Sequence, residues 1–185
     1  MENVRSVLRS AFLDVELADV TKPSGAREEH YLVRLPEAVM TVVLDEIGEH
    51  VLLAWRHRCV PDLWNYEVPG GLLEKGETPE EAAPREVAEE TGYRVRGLRH
   101  LVTFEPAVGS LRAPHHVYAA RAVERVGDPT ERDEGIFDWV PLARVPQLIA
   151  EGKIGNSGTL IGLLHILATL GAEDAQSGER PERTD

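Results

Sequence analysis

Residues 70–93 read GGLLEKGETPEEAAPREVAEETGY, a glycine pair, a short acidic loop, a helix and a closing glycine. Thr78-Pro79-Glu80-Glu81 is a helix start, with threonine at the N-cap, proline at the first helical position and Glu81 placed for a capping box. Gly92 is a natural stop. Helical spacing puts Glu86 and Glu90 one turn apart on one face with Glu89 beside them, and turns Ala83 and Val87 inward. Like charges at that spacing cost about a few tenths of a kcal/mol even when exposed. A solvated acidic face is the plain alternative. Against it stand Pro69-Gly70-Gly71, which lets backbone approach a ligand, and Arg85, placed to brace the loop through Glu77. Clustered carboxylates are what hard cations such as Mg²⁺ or Mn²⁺ select. Pro84 inside the helix removes a donor at a cost of up to about 3 kcal/mol, so a kink or a late helix start is expected.

Outward from this stretch the chain alternates strands and turns. Residues 4–20 read as one or two strands, Lys22 to Gly25 as a turn and His30 to Leu35 as the returning strand of a hairpin. The run AVMTVVL (38–44) is continuously apolar, as a strand covered on both faces requires. Further strands are expected at 50–56, 66–68, 95–104, 115–122 and 137–140, with 59–65, 106–114 and 127–135 as loops. Helices follow at 142–151 and 157–170, the second with a stripe of Leu160, Leu163, Leu164 and Leu167 suited to core or dimer packing. Strands around one central and two later helices make an α+β, α/β/α layering. One domain spans 1–171, with N-terminal strands at 1–36 and a core at 37–171. Residues 172–185 lack an apolar anchor and read as a disordered tail.

The totals narrow the function. With 185 residues, 42% hydrophobic and 28% charged, the chain can bury a core. A formal net charge of −12 argues against a nucleic-acid footprint, which would be basic. No apolar run approaches a membrane span. The N-terminal MENVRSVLRSAFLDVELADV carries charge throughout, so no secretory leader is expected. One cysteine, Cys59, permits no intrachain disulfide and agrees with a cytoplasmic location.

At Gly71, Glu77, Arg85, Glu86, Val87, Glu89, Glu90, Gly92 and Tyr93 the sequence resembles the Nudix hydrolases, whose pattern is G-x5-E-x7-R-E-U-x-E-E-x-G-U. Only the final bulky aliphatic position departs, being Tyr93. The resemblance implies an α/β/α sandwich around a mixed sheet and an enzyme that cleaves a nucleoside diphosphate linked to another moiety. It implies Glu86, Glu90 and the Gly70 carbonyl as Mg²⁺ or Mn²⁺ ligands, Glu89 as ligand or base, Gly71 against the substrate, and Glu77 and Arg85 as braces. The Arg56-x-Arg58 pair, Trp64-x-Tyr-Glu-Val-Pro-Gly-Gly, the 104–109 loop and Glu151-Gly-Lys-Ile154 resemble the ADP-ribose pyrophosphatase branch over residues 4–170. Pro106-Ala-Val-Gly109 replaces that branch's usual S-P-G triplet. The branch carries an extra catalytic glutamate in a late loop; among Glu131, Asp133 and Glu134, Glu134 aligns best. It also commonly forms homodimers. ADP-ribose or another nucleotide sugar is the implied substrate. A triphosphate-cleaving enzyme and a ligand-sensing domain are the alternatives.

Outside the box, Arg56 and Arg58 can meet phosphates or be surface arginines at a strand end. Trp64 can stack on a nucleobase or pack under its loop. His115 and His116 begin a strand, one inward and one outward. Cys59 reads as an unreactive small apolar residue.

Overall fold

The computed structural model describes residues 1–130 and 135–178. The strands are β1 (Glu2–Arg9), β2 (Asp14–Thr21), β3 (Arg27–Arg34), β4 (Ala38–Leu44), β5 (His50–Arg58), β6 (Leu63–Glu67) and β7 (Gly70–Leu72). Helix α1 (Pro79–Thr91) follows, then β8 (Tyr93–Phe104), β9 (Leu111–Arg112), β10 (His115–Arg125) and β11 (Ile136–Pro141). A 3-10 turn (Leu142–Arg144), α2 (Val145–Ala150) and α3 (Ser157–Gly178) complete the chain.

The central sheet has the order β11-β5-β4-β10-β8, with β6 paired to β5 and β7 to β4. It is mixed, because β4 and β10 run parallel while β4–β5, β5–β11 and β10–β8 are antiparallel. The run 38–44 is apolar apart from Thr41 because alternate side chains enter opposite layers. Val42 and Leu44, with Val51 and Leu53 of β5, pack with Leu163 and Ile166 of α3. Val39 meets Ala82 and Ala83 of α1, while Val43 and Leu52 meet Val87. This is the α/β/α sandwich expected. Helix α3 lies close on β4: a Cβ at Gly158 would sit 1.7 Å from Met40 Sδ, and one at Gly162 2.7 Å from Val42 Cγ2.

The N-terminal hairpin is a three-stranded meander, β1-β2-β3, extended by β9 into a second sheet. The loop carrying β9 is tied to it by Val33 N–H to Ser110 O (2.9 Å) and Leu35 N–H to Arg112 O (3.0 Å).

Several expectations change. Helix α1 starts at Pro79, well before Pro84, and runs on past it. The start holds because the Glu81 carboxylate accepts both the Thr78 N–H (2.9 Å) and the Thr78 hydroxyl (2.8 Å). Strand β6 begins at Leu63, so Trp64 is a strand residue and not part of a loop. Cys59 is exposed, just after β5. Of the α3 stripe, Leu163 is buried and Leu160 and Leu167 pack against the core, but Leu164 is exposed. The last helix continues to Gly178, into the segment expected to be a disordered tail. Glu131, Asp133 and Glu134 lie outside the described residues.

Candidate active site

Helix α1 presents its carboxylates to a groove of about 490 Å³ whose lining includes four glutamates (74, 86, 89, 90), three arginines (56, 58, 85) and the Gly70-Gly71 backbone. Glu90 is 2% exposed and Glu86 6%. A carboxylate that deep needs partners. Glu90 accepts the Gly70 N–H at 3.1 Å and faces Arg56, whose Nη2 lies 3.4 Å from both its oxygens. Glu86 lies under Gly71, where an added Cβ would come within 2.4 Å of its Oε2. Glycine at 71 is thus what lets the helix and strand β7 close on each other around this carboxylate.

Arg85 braces more than the loop. Its Nε and Nη2 clamp Glu77 at 2.7 Å each, and its Nη1 donates to Glu86 at 2.9 Å and Glu89 at 2.8 Å. The Arg85 hydrogen bonds, together with the Glu74 N–H, hold the Glu77 carboxyl at about 2. The Arg85 guanidinium is driven further up by Glu77, then Glu89 and Glu86, against the opposing pull of burial. Loop, helix and two of the helix carboxylates, Glu86 and Glu89, are tied to one cation. Gly92 finishes the helix in the left-handed region (φ 73°), with its N–H on Ala88 O at 2.9 Å. A Cβ there would strike Gly127 O at 2.2 Å.

Arg56 and Arg58 both line the groove. Neither is a bare surface arginine: Arg56 is 4% exposed and stands 5.7 Å over the Phe137 ring. Arg58 is gripped side-on by Glu67, Nε to Oε1 at 3.0 Å and Nη2 to Oε2 at 2.7 Å, while Asn65 Nδ2 adds a 3.1 Å bond to the same carboxylate. Burial pushes the Glu67 carboxyl up, but the Arg58 bond and charge, Asn65 and Arg56 outweigh it and hold it below its ordinary value.

Trp64 does not join this group. It pairs across the hairpin with His57, and Trp55 pairs with Tyr66, so these rings share the face opposite Arg56 and Arg58. Trp64 is 55% exposed and stacks on Trp55 at 6.0 Å and 22°. His115 and His116 also lie off the groove. His116 Nε2 meets Glu37 at 2.9 Å, and His115 packs edge-on to Phe104, its pKa lowered by burial against the pull of Glu105. Sequence reading missed Glu67 and Asn65. The available signal was a glutamate inside the otherwise uncharged run LWNYEV, a charge that burial obliges to find a cation across the hairpin.

The donor set suits a hard divalent ion: carboxylate oxygens and glycine backbone, with no thiolate or imidazole in the groove. Among the described residues no three acidic or histidine side chains converge on a common ion position. Mg²⁺ needs no such cage, since it takes one or two carboxylates with substrate oxygens and water. The residues fit the ion without enclosing it.

The NUDIX domain profile matches residues 34–159, so the groove, its helix and both arginines fall within it. The chain belongs to the Nudix family, in its ADP-ribose pyrophosphatase branch, and is a hydrolase acting on pyrophosphate bonds. A CMP-5'-(N-acetyl-N-hydroxy-3-aminopropyl)phosphonate hydrolase of Streptomyces rubellomurinus is 46% identical over 169 residues, 91% of this chain and 82% of that protein. An ADP-ribose pyrophosphatase of Bacillus subtilis is 31% identical over 125 residues, 68% of this chain and 67% of that protein. In fold, the crystal structure of an ADP compounds hydrolase superposes with a TM-score of 0.78 at 21% identity, covering 92% of this chain and 93% of that one. No described helix is long and apolar enough to cross a membrane.

Proposed function

We propose that the groove hydrolyses the phosphoanhydride joining a nucleoside 5'-phosphate to a second moiety, with Mg²⁺ or Mn²⁺ held by Glu86, Glu90 and the Gly70 carbonyl. The observation that carries this is the burial of two carboxylates, Glu86 and Glu90, against glycine backbone in a groove that also presents arginines. The bound ion would neutralise charge on the two phosphates and make a water more acidic. The chain's own residues do the rest. Arg58, fixed by Glu67, receives a phosphate oxygen, and Arg56 pairs with Glu90 at the groove. Glu89, the most exposed of the three α1 carboxylates that line the groove, accepts a proton from the attacking water, with Glu134 as the second candidate for that role. Water's oxygen bonds to one phosphorus, the bridging P–O bond breaks, and the products are a nucleoside monophosphate and the second moiety's phosphate or phosphonate.

ADP-ribose, or another nucleotide sugar, is the first substrate reading, in line with the Bacillus subtilis relative. A CMP-linked phosphonate is the second, favoured by the Streptomyces relative, which matches nine-tenths of this chain. Both contain the same type of bond. A homodimer completes the reading: β1 is exposed along its whole length and carries Val4, Val7 and Leu8, apolar residues that a second copy would cover.

A substrate panel tests the proposal: ADP-ribose, other nucleotide sugars, a CMP-phosphonate and nucleoside triphosphates, with Mg²⁺ and product analysis. Release of nucleoside monophosphate from a two-armed substrate is expected. Cleavage of triphosphates alone, or of nothing, contradicts it.

A further inference from the structure

The groove does not end at Arg58. The same arginine lines a second hollow of about 460 Å³, so the two hollows flank one guanidinium. The walls of the hollow are apolar, Val60, Pro61 and Leu63, and Val60 is 94% exposed with no packing role of its own. Its polar groups are the Arg58–Glu67 pair, the buried Asn65 and the half-buried Asn156. Asn156 Oδ1 accepts the Thr159 N–H at 3.0 Å at the start of α3, so the edge it can offer a ligand is its NH₂. Apolar walls with a few fixed amides suit a flat heterocycle, whose faces are apolar and whose edge carries acceptors.

Another hollow opens past Glu90, but its rings are already engaged. Phe137 carries Arg56 over its face, and Trp139 stands edge-on to Tyr93 at 5.7 Å while donating Nε1–H to the Tyr93 hydroxyl. Resting on the anhydride-hydrolase reading above, we infer that the nucleobase of the substrate occupies the hollow walled by Val60, Pro61 and Leu63, with Asn156 reading its edge. The phosphates then pass Arg58 into the groove, and base preference is set at the β5–β6 loop and the start of α3.

Gly155 allows a direct test. It lines the hollow, and a Cβ added there meets no atom within 4 Å, so a large side chain can project into the space without displacing the fold. Binding of AMP, CMP, GMP and UMP is measured by calorimetry with Mg²⁺ on the wild type, Gly155→Trp and Asn156→Ser, alongside inorganic pyrophosphate, which has no base. Gly155→Trp is expected to weaken nucleoside monophosphate binding by about tenfold or more at unchanged Tm, with pyrophosphate unaffected. Asn156→Ser keeps a capping oxygen for Thr159 and is expected to shrink the affinity differences among the four bases. Unchanged nucleotide binding in Gly155→Trp, equal weakening of pyrophosphate, or no nucleotide binding by the wild type overturns the assignment. A wild type that binds nucleotide as described but hydrolyses no anhydride would instead remove the catalytic reading and leave the base site standing.

Discussion

Arg56 Nη2 sits 3.4 Å from both carboxylate oxygens of Glu90, with the two side chains only 5% and 2% exposed, and this pair links strand β5 to the groove-facing side of helix α1. Removing one partner of a buried pair is costly because the other charge stays in a poorly solvating place. Arg56→Met is therefore expected to lower the unfolding free energy by about 3 kcal/mol in urea denaturation. A loss under about 1 kcal/mol would show that the pair contributes little to the fold.

Acid should release the Glu77 clamp only at low pH. Its carboxyl titrates at about 2 in the fold against an ordinary 4.5, so the native state holds fewer protons there than the unfolded chain. The contribution is whole above pH 4.5 and is lost as pH falls toward 2. Glu77→Gln removes this term. The stability difference between wild type and variant should shrink steadily through that window, read from denaturation at a series of pH values. A difference independent of pH contradicts the ionised clamp.

Gly70 and Gly71 should fail in different ways. A Cβ at Gly70 would sit 2.2 Å from the Val39 carbonyl oxygen, and backbone in a paired strand cannot step aside. Gly70→Ala should cost about 3 kcal/mol, at the upper end of overpacking penalties, and impair folding. At Gly71 the clash is with the tip of Glu86, which can swing away. Gly71→Ala should keep its Tm within a few degrees while losing most activity and metal affinity. Equal Tm losses for the two variants would contradict this division.

Pro84 interrupts the donor ladder inside α1, yet the helix runs unbroken from Pro79 to Thr91. Pro84→Ala restores one backbone N–H without crowding and should raise stability by about 1 kcal/mol, less than the full proline cost because the fold has accommodated the ring. Thermal unfolding reads this directly. A lower Tm would mean that the ring packs against something the helix needs.

Much of this was legible because it depends on local spacing. The apolar run 38–44 announces a strand covered on both faces, and Val39 and Val42 do enter opposite layers. The box spacing brings Glu77, Arg85, Glu86, Glu89 and Glu90 together through one loop and one helix. What spacing could not supply was parity across the β5–β6 hairpin. Whether Trp64 faces the groove or the Trp55 side depends on where β6 starts and how it registers on β5, and a shift of one residue reverses every side chain. The same register delivers Glu67 to Arg58, a contact between residues nine positions apart with no periodic signal. Helix α1 likewise ignores the proline that reading from propensity treats as a boundary, because the Thr78–Glu81 cap fixes its start.

Carboxylates buried in the α1 groove are proposed to bind a divalent ion at which a nucleotide-linked anhydride is cleaved. The most direct measurement is the initial rate of nucleoside monophosphate release from ADP-ribose and from a CMP-phosphonate, by wild type and Glu90→Gln, with Mg²⁺ and with chelator. Release by the wild type only with Mg²⁺, reduced about a hundredfold or more in Glu90→Gln, is predicted, a loss of roughly 2.7 kcal/mol of barrier lowering. Undiminished release by Glu90→Gln, or release that persists in chelator, would contradict the account.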